Sequence, residues 1–138
     1  MMARLRQAQL SSPAFVFPVR IYYEDTDAGG VVYHANYLHF MERARTEWLR
    51  ERGYELNKLE QEFGFLFAVR SIDIDYLKPA HLNDLLRIEV SLARQGKASL
   101  DLDHEIFRDE TLVCRAKIKL AGFASGSFRP MALPFTLN

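Results

Sequence analysis

The chain has 138 residues, of which 49% are hydrophobic and 26% charged, and its 18 basic residues balance its 18 acidic ones. This length and composition predict one folded domain and exclude a disordered chain. The balanced charge excludes a global electrostatic attraction to nucleic acid or to an anionic membrane. The single cysteine, Cys114, cannot form an internal disulfide, so the fold does not need an oxidising compartment.

Targeting signals are not evident in the sequence. No apolar run approaches the roughly 18 residues that a membrane span needs. Arg4 and Arg6 near the start are not followed by the apolar stretch of a signal peptide. We therefore expect a cytoplasmic protein, with a flexible extension over residues 1–14 and a single domain over residues 15–138.

In chain order, the first predicted element is a strand over residues 15–23, a segment rich in β-branched and aromatic residues. Apolar residues then recur at helical spacing over residues 37–49. This spacing predicts a helix of about 16 residues, with Asn36 as the N-cap and Gly53 as the first residue beyond the C-cap. A short second helix is predicted over residues 57–63.

From residue 66 onward the hydrophobic period changes to two, which indicates strands with one apolar face. Four such strands follow one another with short connections and predict a meander of antiparallel hairpins. The sheet must bury its apolar face, and the long helix is the only element available to cover it. We predict an α+β fold, a curved antiparallel sheet wrapped around one long helix. The last two strands carry an acidic row (Asp101, Asp103, Glu105) and a basic row (Arg115, Lys117, Lys119), which we expect to pair across the sheet.

The segment that is best suited to hold a reaction centre lies between the first strand and the long helix. It contains three acids, a pair of glycines and a histidine within residues 23–37. Backbone N–H groups at the start of a helix are free and favour negative charge, so they suit a developing oxyanion. Asp27 could act as a nucleophile or a general base, and His34 could orient a water or shuttle a proton. Both could equally be turn or capping residues on composition alone.

Residues 19–37, together with the helix segment 42–47, resemble the signature of the 4-hydroxybenzoyl-CoA thioesterase-like hotdog family, most closely its YbgC branch of acyl-CoA thioesterases. A weaker resemblance extends from Phe15 to the end of the chain. The resemblance implies a hotdog fold, in which the sheet wraps the long helix. It also implies hydrolysis of acyl-CoA, or of acyl carrier protein thioesters, by a homodimer or homotetramer with active sites at the subunit interface.

The resemblance also assigns roles to individual residues. The family's catalytic aspartate falls on Asp27, its histidine and its oxyanion N–H donor fall on His34, and a tyrosine near the site falls on Tyr23. The helix N-terminus would polarise the thioester carbonyl. Related enzymes place basic residues near one hairpin turn, and this chain has Arg94 and Lys97 at the corresponding turn. We expect these cations either to bind the CoA phosphates or to be ordinary residues of a solvated turn. No metal and no cofactor are implied, since coenzyme A is part of the substrate.

The residues alone leave two other functions open. One is a hotdog hydratase or dehydratase acting on an acyl thioester, and the other is a non-catalytic acyl-CoA-binding module. Asp27 and His34 are seven positions apart with the glycine pair between them, which favours the thioesterase over the hydratase. The intact Asp27 argues against the binding module. Cys114 falls on an apolar strand phase and is interpreted as a buried small hydrophobe, not as a nucleophile.

Overall fold

The computed structural model describes residues 14–137, so the predicted extension over residues 1–14 lies almost entirely outside the described residues. A 3-10 turn, Tyr23–Asp25, follows the first strand. No helix in the described range is long and apolar enough to cross a membrane. The elements in chain order are β1 (Phe15–Arg20), α1 (His34–Glu51), α2 (Leu56–Phe63), β2 (Phe65–Tyr76), β3 (Leu85–Gln95), β4 (Ser99–Arg108) and β5 (Thr111–Ala124).

The five strands form one antiparallel sheet in the order β1-β3-β4-β5-β2. The meander was predicted for four strands, and the last three of them, β3, β4 and β5, form one. The predicted hairpin between β2 and β3 is wrong, because β2 pairs with β5 and lies at the far edge of the sheet. The connection after β2 runs beside the start of β5, where the N–H groups of Leu77 and Lys78 donate to the carbonyl of Val113 at 2.9 and 3.1 Å.

Helix α1 covers the inner face of the sheet, which confirms the predicted α+β hotdog architecture. Its apolar stripe is almost fully buried, with Phe40, Met41 and Ala44 at 0% exposure and Trp48 at 1%. Burying one such large side chain contributes about 1.5–3 kcal/mol. The stripe packs on the inward residues of the central strands, which include Leu86, Ile88, Val90, Leu100, Leu102, Ile106, Ile118 and Leu120.

The start of α1 differs from the prediction. The helix begins at His34, with Tyr33 as an N-cap that offers no side-chain hydrogen bond, so the prediction of Asn36 as N-cap is wrong. The Asn36 side chain instead donates to Asp25, which lies in the preceding 3-10 turn. The end of α1 agrees with the prediction, since Gly53 follows the C-cap and has the positive φ of 95° that glycine adopts most easily.

The outer face of the sheet carries the predicted charge pairing. Two of the three cross-strand pairs bring their charged atoms within 4 Å, whereas Arg115 lies 3.3 Å from Asp75 of β2 instead. Exposed pairs of this kind contribute about 0.2–1 kcal/mol each. The register aligns Asp101 with Lys119, Asp103 with Lys117 and Glu105 with Arg115.

Strand β2 is less buried than its alternating pattern predicts. Val69, Ile72 and Tyr76 align with inward-facing residues of β5, yet they are 45%, 41% and 46% exposed. These side chains stand at the sheet edge, beyond the part of the inner face that α1 covers. The edge strand therefore presents unpaired backbone groups beside an exposed apolar row, the arrangement that favours pairing with another strand.

Candidate active site

The two aspartates of the loop before α1 have different environments. Asp25 is buried, at 8% exposure, and its carboxylate accepts hydrogen bonds from the Tyr22 N–H and from Asn36 Nδ2, both at 2.9 Å. Asp27 is exposed, and only its Oδ1 is held, by the Gly29 N–H at 2.8 Å. Asp25 is therefore a structural anchor, whereas Asp27 retains an oxygen that accepts no hydrogen bond from the described residues.

The glycine pair shapes the turn that carries Asp27. Gly30 has a φ of +82°, and its N–H donates to the Asp27 carbonyl at 3.0 Å. A Cβ on Gly29 would lie 3.2 Å from Asp27 Oδ1, so a side chain there would crowd the carboxylate. The Asp27 N–H donates to the Val31 carbonyl at 2.9 Å, which closes the turn. Both glycines keep the Asp27 carboxylate oriented and accessible.

The first turn of α1 presents unsatisfied donors. The N–H groups of His34 and Ala35 donate to no acceptor among residues 14–137, and the side chain of Tyr33 does not cap them. The partial positive charge of a helix N-terminus concentrates at such groups. This end of the helix is suited to stabilise a developing oxyanion, as the sequence predicted for the position of His34.

A cleft of about 260 Å³ lies beside this helix end. Tyr76, at the end of β2, donates its hydroxyl hydrogen bond to the His34 carbonyl at 3.0 Å, and the two rings meet edge-on at 6.3 Å between centroids. Burial raises the pKa of Tyr76 and also that of Tyr37, which is more deeply buried behind it. The cleft is lined by Val32, His34, Tyr37, Tyr76, Leu77, Lys78 and Pro79.

Tyr76 was not predicted as a site residue, because it falls among the apolar positions of the alternating pattern that predicts a strand. The available signal was a polar-tipped aromatic at the last position of a strand, just before the break at Pro79. Tyr23 lies on the 3-10 turn, 80% exposed, and its phenol makes no hydrogen bond to any described residue. The structure thus places His34 and Tyr76 in contact and leaves Tyr23 in solvent.

The candidate CoA-binding residues lie elsewhere in the protomer. Arg94 and Lys97 flank the β3–β4 turn and are exposed. Across the sheet, Arg94 aligns with Ser71, which is five residues before Tyr76 and hence about 17 Å away along the strand. Strands β3 and β2 are also three strand spacings apart, which adds about 14 Å across the sheet. Within one protomer these cations are therefore remote from His34.

Two other sequence-based interpretations concern nucleophiles and metals. Cys114 is fully buried, and burial raises the pKa of its thiol to about 12, so the interpretation as a small hydrophobe is confirmed. Within the described part of the chain, no three His, Cys, Asp or Glu side chains come together in a group that could hold a metal ion.

Comparison with known proteins identifies relatives for most of the chain. Residues 29–115, which include His34 and Tyr76 and begin just after Asp27, match the family model described as Thioesterase superfamily. The acyl-CoA thioesterase YbgC of Haemophilus influenzae is 44% identical over 87% of this chain and 88% of its own length. The acyl-CoA thioester hydrolase YbgC of Escherichia coli O157:H7 is 40% identical over 91% and 93%. A crystal structure of a probable thioesterase from Bartonella henselae superposes with a TM-score of 0.84 at 34% identity, covering 88% of this chain and 99% of that one.

Proposed function

The chain belongs to the thioesterase superfamily, and from that premise we propose that it hydrolyses the thioester of an acyl-CoA to a free acid and CoA-SH. One observation supports this most directly. A single short loop carries an exposed carboxylate, Asp27, and leads into a helix whose first N–H groups are free. An attacking or base group and an oxyanion donor are the two features that acyl transfer requires.

In the proposed reaction, the thioester carbonyl oxygen accepts a hydrogen bond from the N–H of His34. The Asp27 carboxylate attacks the carbonyl carbon, the C–S bond breaks, and the electron pair leaves on the CoA sulfur. Water then cleaves the mixed anhydride, giving its hydroxyl to the acyl carbon and its remaining proton to the thiolate. In the alternative route, Asp27 takes a proton from water, and the water oxygen attacks the thioester directly. Neither route needs a metal or a redox cofactor.

The test is thiol release from a panel of acyl-CoAs and one acyl carrier protein thioester, measured for the wild type and Asp27→Asn. The side-chain amide oxygen of the variant retains the acceptor for the Gly29 N–H, so the loop should keep its shape. We expect a loss on the order of 100-fold or more in kcat. An unchanged rate in Asp27→Asn, or no cleavage of any thioester by wild type, would refute the proposal. Intact mass after an acid quench separates the routes, because only the nucleophilic one leaves an acyl group on the chain.

We also propose that the protein acts as a homodimer joined through β2, or as a homotetramer built from such dimers. The support is the exposed edge strand with its row of apolar side chains, Val69 and Ile72 among them. Antiparallel pairing of two β2 strands about a two-fold axis would set the start of one strand beside the end of the other.

The mass in solution by light scattering tests this assembly and separates dimer from tetramer. Ile72→Lys should shift the protein toward monomer, because it places a charge in the proposed contact. Val16→Lys is the matched control, since Val16 is 47% exposed on β1 at the opposite edge of the sheet. A monomeric wild type, or equal effects of the two substitutions, would contradict a β2 interface.

The cytoplasmic location stays a prediction.

A further inference from the structure

Arg45 is a buried charge in the middle of α1. It is 9% exposed, and its Nη1 has no hydrogen-bond partner among the described residues. Burial lowers the pKa of Arg45, while the nearby Glu42 acts in the opposite direction. A guanidinium remains charged in proteins, and a buried charge without a paired opposite charge is strongly unfavourable. Some group should therefore approach Arg45 that one protomer does not supply.

The protomer itself offers no counter-charge in place. No carboxylate of residues 14–137 lies within 4 Å of the Arg45 guanidinium nitrogens. His104, on the sheet side, is fully buried, and both of its ring nitrogens are also unpartnered. Burial, with a smaller contribution from Arg45, lowers the pKa of His104 to about 3, so it is neutral near pH 7. Glu42, one turn earlier on the helix, is exposed and makes no ion pair in the described chain.

Arg45 also lines a cavity of about 220 Å³ between α1 and β2. Glu42 and Thr46 share its helical wall, and Phe67 and Val69 form part of its strand wall. Val69 is 45% exposed because β2 is the edge strand. The cavity therefore lies along the edge at which a second copy of the chain is expected.

The position of this cavity agrees with a two-fold axis at β2. Strand β2 ends beside the start of α1, where the Tyr76 hydroxyl donates to the His34 carbonyl. Further along both elements, Arg45 of α1 and Val69 of β2 line the same cavity, so they lie at the same level. The middle of β2 is thus level with the helical turn that carries Glu42 and Arg45. A two-fold axis through the strand middle would bring the partner's α1 alongside in the opposite direction. In an isologous contact, residue i meets residue j and j meets i, so Glu42 and Arg45 would exchange partners.

We propose that the carboxylate of Glu42 from each protomer reaches the cavity of the other and pairs with its Arg45. This inference rests on the β2 homodimer proposed above. It assigns the buried guanidinium a role in subunit recognition, and it explains why an arginine occupies a position that an apolar residue would fill in an isolated protomer. The two pairs together specify an antiparallel arrangement of the helices, since a parallel one would oppose like charges.

The test mixes two separately purified variants, Glu42→Arg and Arg45→Glu. Each homodimer would oppose like charges twice, so its dissociation constant should rise by about 10-fold or more. In the mixed dimer, both contacts between subunits are again of opposite charge, and a one-to-one heterodimer should form. If Glu42 and Arg45 instead pair within one chain, each variant repels itself and mixing brings no gain. That result would overturn the inference.

Neutral variants provide a second test in case the buried glutamate of Arg45→Glu prevents that variant from folding. A dimer of Glu42→Gln with Arg45→Gln keeps one of the two proposed pairs, whereas either homodimer keeps none, so the mixed dimer should be the tightest of the three. Arg43→Glu is the charge-matched control, because Arg43 is exposed on the same helix outside the cavity, and its dimer should remain intact. A monomeric wild type would refute the β2 dimer. A wild-type dimer that all four cavity variants leave unchanged would refute only the ion pair.

Discussion

Asn36 Nδ2 donates to Asp25 Oδ1 at 2.9 Å and so joins the first turn of α1 to the 3-10 turn eleven positions earlier. The carbonyl of Asp25 also accepts the Tyr33 N–H at 2.8 Å. Asp25 therefore holds both ends of the loop that carries Asp27. The two aspartates therefore differ, because the buried Asp25 fixes the loop, whereas the exposed Asp27 is accessible for the catalytic role proposed above.

Asn36→Ala should damage both stability and activity. It leaves a buried carboxylate oxygen of Asp25 without its donor, which costs about 1–3 kcal/mol in the free energy of unfolding. The loosened loop should also lower kcat for thioester cleavage. Urea denaturation and thiol release measure the two effects. Asn57→Ala on the exposed face of α2 is the control and should stay within about 0.5 kcal/mol of wild type. Equal behaviour of the two variants would contradict the anchoring role.

Tyr76→Phe should separate activity from stability. The lost hydroxyl bonds the His34 carbonyl at a half-exposed position, so the free energy of unfolding should change by no more than about 1 kcal/mol. The same bond fixes the first turn of α1, where the oxyanion is proposed to lie, so kcat should fall several-fold while KM changes little. Tyr33→Phe is the control, since that phenol makes no hydrogen bond to a described residue. A kcat equal to wild type in Tyr76→Phe would exclude this role.

Local periodicity predicted much of the fold. The change from a helical period to a period of two located α1 and the long strands, and the acidic and basic rows predicted that β4 and β5 pair across the sheet. These features succeed because they depend on neighbours within a few residues or on one hairpin. The α2 prediction succeeded for the same reason.

Features set by contacts distant in sequence were not predictable in this way. The start of α1 depends on the bond between Asn36 and Asp25. The place of β2 depends on its pairing with β5, from Tyr76 with Cys114 to Phe65 with Ala124, and these partners are distant in sequence. Tyr76 reaches His34 across 42 positions, so neither strand nor helix pattern signals the contact. The loop around Asp27 could be proposed as the site from sequence because its whole motif is continuous in the chain.

Thiol reagents should leave the folded protein unmodified. Cys114 is the only cysteine, it is 0% exposed, and burial raises its pKa to about 12, so at pH 8 it is both protonated and shielded. Ellman's reagent should therefore report close to no free thiol per chain under native conditions and close to one in urea. Preincubation with a maleimide should not reduce thioester hydrolysis. Rapid native labelling, or inactivation by the maleimide, would contradict the burial of this strand.

Acid should destabilise the protein partly through His104. Its pKa is about 3 in the folded state and about 6.5 when unfolded, so the unfolded chain binds a proton first as pH falls. The stabilising contribution is complete above pH 6.5 and is lost toward pH 3, by up to about 1.4 kcal/mol per pH unit. Urea denaturation of wild type and His104→Gln from pH 7 to pH 4, at one protein concentration, measures the difference. The variant should show the shallower pH dependence, whereas His39→Gln, at an exposed position of α1, should follow the wild type. Parallel profiles for wild type and His104→Gln would mean that the pKa of His104 does not change on folding, which would contradict the pKa of about 3 that burial gives this imidazole.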